Sequence, residues 1–126
     1  MTDTPIYLDN NATTAVDPEV LKTMLPYFTD HPGNAGSSGH TFGWAAKEAV
    51  EQAREEMADL IEATGQEIIF TAGASESINL VIANIKSGHI ITATTEHQAV
   101  LAACEAAKSS GVRTTYLPVD KEGLID

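Results

Sequence analysis

A run of small and hydroxyl-bearing residues, Thr71 to Ser77, stands between an apolar segment and a segment with helical spacing. In an open parallel sheet, ligands bind beyond the carboxyl ends of the strands, where this run is expected. Free backbone N–H groups at a helix N-terminus suit an anion, and Ser75 and Ser77 add hydroxyl donors. The run is neither a Walker A loop nor a G-x-G-x-x-G fingerprint. It predicts a phosphate site, and the alternative is a well-capped helix with Ser75 as the N-cap.

A histidine, His97, follows the next apolar segment in the sequence Thr94-Thr95-Glu96-His97. It would lie one strand away from the predicted phosphate site. An imidazole at that place can stack on a planar cofactor or transfer protons near neutral pH. The alternative is a histidine that lies at the surface or caps a helix. Glu96 either orients His97 or is simply solvated.

The remaining polar candidates carry weaker signals. Asn11 and Asn34 lie in polar loops, where asparagine is a usual turn residue and can equally bind a small polar substrate. Cys104 falls on the apolar face of a helix, so we expect a small core residue rather than a reactive thiol. The sequence has no paired cysteines and no His-x-x-x-His, so no metal site is expected.

The elements that must position these residues alternate between strands and helices. Asp17-Pro18 opens a helix whose apolar stripe runs to Phe28, and a longer helix extends from Phe42 to Ile61 with Gly65 as its stop. Alternating strands and helices predict parallel βαβ units. The fold class is therefore α/β: an N-terminal arm, helix and loop over residues 1–41, then a βαβαβ unit of a mainly parallel sheet within residues 42–126. The predicted strands and helices of that unit are 67–71, 75–87, 89–93, 98–109 and 113–117.

Composition excludes several classes of protein. The 126 residues carry a net charge of −11, which disfavours nucleic-acid partners and anionic membrane surfaces. The apolar runs are far shorter than the roughly 20 residues that span a bilayer. Met1 to Tyr7 has no pattern of a signal peptide. A single cysteine excludes an internal disulfide framework and suits the cytoplasm.

Several motifs, in order and over essentially the whole chain, resemble the NifS-like cysteine desulfurases. These enzymes are fold-type I, class V aminotransferase-like proteins, so the resemblance implies the first part of the large domain of a pyridoxal phosphate (PLP) transferase. It also implies conversion of L-cysteine to L-alanine and an enzyme-bound persulfide, which supplies sulfur to iron–sulfur cluster assembly or to tRNA. The motifs are Ile6 to Thr14, Val16 to Pro18, Gly33-Asn34 to Gly43, Glu67 to Leu80, and Thr95 to Leu101.

The resemblance assigns roles to individual residues. Ala74 and Ser75 match the Ala-Thr pair whose backbone and hydroxyl hold the PLP phosphate. His97 matches the histidine that stacks on the pyridine ring and assists proton transfer. Cys104 does not match the sulfur-accepting cysteine. One departure is Ala35-Gly36 after Asn34, where the family usually has proline, so this loop is expected to differ in shape.

The resemblance covers roughly the first third of such an enzyme. The lysine that bonds PLP, the carboxylate that holds its ring nitrogen, the active cysteine and the substrate-binding arginine all match positions beyond Asp126. We therefore expect the 126-residue chain alone to be inactive. Its expected partners are L-cysteine, the remainder of the enzyme or a complementary chain, a second copy in a homodimer, and a sulfur-acceptor or scaffold protein.

Two alternatives to a cysteine desulfurase segment remain open from the sequence. One is a segment of another class V PLP lyase or aminotransferase, such as a selenocysteine lyase. The other is a non-catalytic remnant that binds a partner protein or a phosphate ligand.

Overall fold

The computed structural model describes residues 5–125; Met1 to Thr4 and Asp126 lie outside the described residues. Contacts divide the chain into two compact units, Met1–Ile68 and Ile69–Asp126, and each unit is described by itself. The predicted division between residues 41 and 42 stays a prediction. None of the helices in the described part is long and apolar enough to cross a membrane.

The first unit begins with two short helices, α1 (Pro18–Met24) and α2 (Pro26–Thr29). The Asp17 carboxylate caps α1, because its Oδ1 accepts the N–H of Glu19 at 2.8 Å. The prediction of a single helix through Phe28 is wrong, because the helix is interrupted at Pro26. Proline has no N–H to continue the helical ladder, so α1 ends at Met24.

The long helix α3 spans Thr41–Leu60, close to its predicted bounds. Its end differs from the prediction, because Gly65 is not the stop. The left-handed residue is Glu62, with φ of 56°, and Ala63 N–H donates to the carbonyl of Ala58 at 2.9 Å. This is a Schellman ending that a non-glycine residue closes. Gly65 instead opens a 3-10 turn, Gly65–Glu67, that packs on α3.

The predicted strand 67–71 does not form. Glu67 belongs to the 3-10 turn, and 68–71 has no regular secondary structure, although the backbone of Ile68 is extended. A strand needs a neighbour for its ladder of hydrogen bonds, and the two strands in the described part pair with each other. Apolar side chains remain exposed as a result, with Ile69 66% and Phe70 50% accessible.

The second unit carries α4 (Ala74–Ile82), β1 (His89–Ala93), α5 (Gln98–Ser109) and β2 (Arg113–Leu117). Strands β1 and β2 are parallel, with His89 opposite Arg113 and Ala93 opposite Leu117. The predicted bounds of β1, α5 and β2 are confirmed, whereas α4 ends at Ile82 rather than at residue 87. The predicted α/β class is confirmed.

Helix α5 packs on β2 and supplies most of the buried core of the second unit. Tyr116 of β2 points to this helix, because its hydroxyl lies 3.4 Å from the Glu105 carboxylate. Alternate residues point to the opposite face, where His89 Nε2 lies 2.7 Å from Thr115 Oγ1. On that face Ile91 is 60% accessible. The buried residues of this unit are Ala103, Cys104, Ala107 and Val112.

Candidate functional site

The first turns of α4 and α5 lie at the same end of the second unit. Helix α5 joins two parallel strands, so it begins beyond the carboxyl end of β1. Helix α4 packs beside α5, and the C-terminal halves of both helices line one cavity of about 190 Å³. Both helices therefore point the same way, and their N-termini face the edge where open α/β sheets bind ligands. Ala74 and Ser75 lie in the first turn of α4 and His97 is the N-cap of α5, so all three lie at this end of the unit. That they form one site stays a prediction.

The loop before α4 leaves several backbone donors free. The N-cap of α4 is Gly73, so the alternative in which Ser75 caps the helix is wrong. The Gly73 carbonyl accepts the N–H groups of Glu76 and Ser77 at 3.1 and 3.2 Å. Within residues 5–125, the N–H groups of Gly73, Ala74 and Ser75 and the Ser75 hydroxyl have no hydrogen-bond acceptor. This set of donors suits a phosphate group, because its oxygens accept several hydrogen bonds at once.

The same loop is fastened to α4 by side chains that the sequence reasoning did not identify. The Glu76 carboxylate accepts the N–H of Ala72 at 2.6 Å. The hydroxyls of Thr71 and Ser77 lie 2.7 Å apart, and Thr71 Oγ1 also donates to the Gly73 carbonyl at 3.3 Å. A carboxylate in the first turn after a loop of small residues is a sequence signal for such a contact.

His97 is the N-cap of α5. Its Nδ1 accepts the N–H of Ala99 at 3.1 Å. An imidazole nitrogen that accepts a hydrogen bond carries no proton, so this contact assigns the proton to Nε2. His97 therefore has the capping role that was its alternative interpretation from the sequence. It leaves Nε2–H as a donor, and the role in stacking and proton transfer stays a prediction.

Cys104 and Glu96 lie on or next to α5. The Cys104 side chain is fully buried, which confirms the expected core position. Burial raises the pKa of its thiol, and the negative charge of Glu96 adds to that shift. A thiol with a raised pKa holds little reactive thiolate at neutral pH. Glu96 is exposed, and in the described part of the chain no hydrogen bond joins it to His97.

Asn11 and Asn34 belong to the first unit, whereas the residues described above belong to the second. Asn34 Oδ1 accepts the N–H of Gly36 at 2.8 Å, and its carbonyl accepts the N–H of Ser37 at 2.9 Å. Asn11 lies exposed in a turn in which the Asp9 carbonyl accepts the N–H of Ala12 at 3.1 Å. Asn34 is thus a turn residue in this structure, and substrate binding by either asparagine stays a prediction.

In the part of the chain that the structure describes, no group of three or more His, Cys, Asp or Glu side chains could hold a metal ion. The second unit is an α/β arrangement in which α4 and α5 begin at the same end. The profile of the aminotransferase class-V family matches residues 6–126, and the chain belongs to this family.

Individual relatives show which proteins of this family the chain resembles. The cysteine desulfurase IscS of Rickettsia bellii is 52% identical over 97% of this chain and 31% of that protein. A solved structure named NifS-like protein superimposes with a TM-score of 0.82 at 36% identity, covering 93% of this chain and 34% of that one. SspA, solved in complex with cysteine, superimposes with a TM-score of 0.79 at 40% identity, covering 91% of this chain and 35% of that one. The chain spans about a third of the length of these relatives.

Proposed function

We propose that this chain is the N-terminal segment of a PLP-dependent cysteine desulfurase, a sulfurtransferase that converts L-cysteine to L-alanine and an enzyme-bound persulfide. The observation that carries the proposal is the set of free donors at Gly73, Ala74 and Ser75, in a chain of the aminotransferase class-V family. The names of the relatives favour a cysteine desulfurase over other class V lyases and aminotransferases, because they include cysteine desulfurase IscS and a NifS-like protein.

PLP, when bound, supplies the electron-withdrawing ring on which chemistry at amino acids depends. This chain would hold its phosphate with the N–H groups of Ala74 and Ser75 and with the Ser75 hydroxyl. The positive end of the α4 dipole would favour the negative charge of the phosphate. His97 would lie against the ring and offer Nε2–H as a donor, with the orientation of the imidazole fixed by the contact of Nδ1 with Ala99.

The partners in this proposal follow from the same similarity. They are L-cysteine as substrate, the remaining parts of the enzyme or a complementary chain, a second copy in a homodimer, and an acceptor or scaffold protein that takes the sulfur to iron–sulfur clusters or to tRNA. We place the activity in the cytoplasm, because a single buried thiol suits a reducing compartment. Asn11 and Asn34 are proposed to lie on the substrate side.

Titration of PLP against the complete apoenzyme and its Ser75 variants tests the proposal. Ser75→Ala removes one charge-assisted hydrogen bond, so the Kd should rise about 5- to 30-fold, equivalent to about 1–2 kcal/mol. Ser75→Pro should weaken binding further because it also removes a backbone donor, while the first turn of a helix tolerates proline. Ser109→Ala, a remote serine on α5, is the matched control. Unchanged affinity in both Ser75 variants would contradict the proposed phosphate site.

A further inference from the structure

A negative charge sits beside the proposed phosphate site. Glu76 lies in the first turn of α4, and its Oε2 is 2.6 Å from the backbone nitrogen of Ala72. An anion bound at Ala74 and Ser75 would be close to this carboxylate, and like charges repel. For binding strength alone, Glu76 is therefore an unfavourable residue, and its presence needs another reason.

The hydrogen bond of Glu76 determines which backbone donors stay free. It engages the N–H of Ala72, while the next three N–H groups along the chain, from Gly73 to Ser75, are left without acceptors in the described residues. The contact closes the loop onto the helix that follows it. Gly73 has no side chain to make such a contact itself, and α4 has no side-chain cap.

A second, uncharged contact closes the same loop. Thr71 Oγ1 and Ser77 Oγ lie 2.7 Å apart, and Thr71 also reaches the Gly73 carbonyl at 3.3 Å. Thr71 lies before the free donors and Ser77 after them, as Ala72 and Glu76 do. Two independent side-chain bonds therefore bracket the loop between residues 72 and 76.

We infer that Glu76 is a positioning residue of this anion site: its hydrogen bond to Ala72 holds the loop in the shape in which the donors of Gly73, Ala74 and Ser75 are free, at the expense of some electrostatic repulsion. The inference rests on the proposed function, because it assumes that an anionic group binds there. Its direct consequence is that the charge and the hydrogen bond of Glu76 have opposite effects on anion affinity. The two effects can be separated by substitution.

Three variants of the complete enzyme separate them in PLP titrations, with inorganic phosphate as a second probe. Glu76→Gln removes the charge but keeps an oxygen that can accept the Ala72 N–H, so affinity should be equal to or about threefold above that of the parent. Glu76→Ala removes both, and affinity should fall about fivefold although a repulsive charge is gone. Ser77→Ala breaks the Thr71 contact without changing any charge, and should weaken binding two- to fivefold on the scale of one hydrogen bond.

A backbone measurement accompanies the titrations, since it does not depend on a bound cofactor. Hydrogen exchange of the Ala72 amide should be slow in the parent and in Glu76→Gln, and fast in Glu76→Ala. Circular dichroism checks that α4 persists in each variant. The inference is overturned if Glu76→Ala binds PLP as tightly as Glu76→Gln, or if the Ala72 amide exchanges equally fast in all three proteins.

The Ser75 and Glu76 variants together distinguish a failure of this inference from a failure of the proposed function. If Ser75→Pro weakens PLP binding while Glu76→Ala and Glu76→Gln behave alike, the phosphate site stands and the positioning role is wrong. If Ser75→Ala and Ser75→Pro both leave PLP affinity unchanged, the phosphate site itself is wrong and the positioning role falls with it.

Discussion

The imidazole of His97 accepts the backbone N–H of Ala99 through Nδ1 at 3.1 Å, and this contact starts helix α5. The contact uses one nitrogen of the ring, and the proposed contact with a cofactor would use the other nitrogen and the ring face. Nδ1 stabilises the helix, whereas Nε2 and the ring face are available for a ligand. The same nitrogen serves the same purpose at His40, where Nδ1 accepts the Gly43 N–H at 3.2 Å at the start of α3.

Substitution of His97 should separate its capping role from its ring. His97→Ala loses the cap and should lower the free energy of unfolding by about 1 kcal/mol, whereas His97→Asn should restore most of it because asparagine is a good N-cap. Both variants lack the ring, so in the complete enzyme both should shift the absorption of bound PLP and slow alanine formation. His97→Phe should keep the stacking but not the proton transfer. Urea unfolding and absorption spectra check this; an unchanged spectrum and turnover in His97→Ala would contradict the cofactor role.

Cys104 should be inert towards alkylating reagents in the folded protein. Its side chain is fully buried, and burial raises the pKa of the thiol. The reactive thiolate is therefore both scarce and shielded. Iodoacetamide labelling at pH 8, followed by mass spectrometry, should be at least about tenfold slower in buffer than in urea, where burial is lost. Equal rates in the two conditions would show that α5 does not pack as described.

Acid should weaken the 3-10 turn that follows α3. The Glu67 carboxylate accepts hydrogen bonds from the Thr64 backbone N–H and hydroxyl, both at 2.9 Å, and these bonds lower the pKa of Glu67, with the backbone bond having the larger effect. A carboxyl whose pKa is lowered in the folded state stabilises the fold at pH values above its ordinary pKa of about 4.3. That contribution is lost as the pH falls through the lower folded value.

Urea unfolding of the parent protein and of Glu67→Gln between pH 7 and pH 3 measures this contribution. The difference in stability between the two proteins should shrink as the pH falls, because protonated Glu67 resembles glutamine. Glu48→Gln, on the exposed side of α3, is the matched control and should show no such convergence. A difference that stays constant down to pH 3 would contradict the assignment.

Local patterns in the sequence predict much of this fold. The bounds of α5 and of both strands follow from hydrophobic segments set between polar turns, and Asp17-Pro18 marks the start of α1 through short-range chemistry. The ending of α3 was mispredicted because Glu62 adopts a left-handed backbone that usually favours glycine. A pattern of apolar residues says little about which residue accepts that conformation.

Contacts between segments could not be predicted in the same way. Residues 68–71 have the composition of a strand, but a strand exists only where a neighbour pairs with it, and no local pattern supplies a neighbour. The place of His97 after β1 could be predicted from the alternation of strands and helices, whereas the strand expected before Ser75 does not form. The binding roles of both residues, inferred from the rule that ligands bind at the carboxyl ends of strands, stay predictions. The position of Glu76 in the first turn of a helix is a signal for a contact with the preceding loop, but the particular backbone N–H that it accepts, that of Ala72, depends on the path of the loop.

The 126-residue chain by itself should release no sulfide from L-cysteine, and it should be either loosely folded or associated with a complementary chain. None of its five lysines matches a PLP-bonding motif, and apolar side chains are exposed at Ile69, Phe70 and Ile91. Exposed apolar side chains and open apolar sheet faces promote association, and a net charge of −11 opposes aggregation without replacing packing. Sulfide release with PLP and a reductant, together with light scattering and near-ultraviolet circular dichroism, tests this. Catalytic turnover, or a rigid monomer with a cooperative melt, would contradict the prediction.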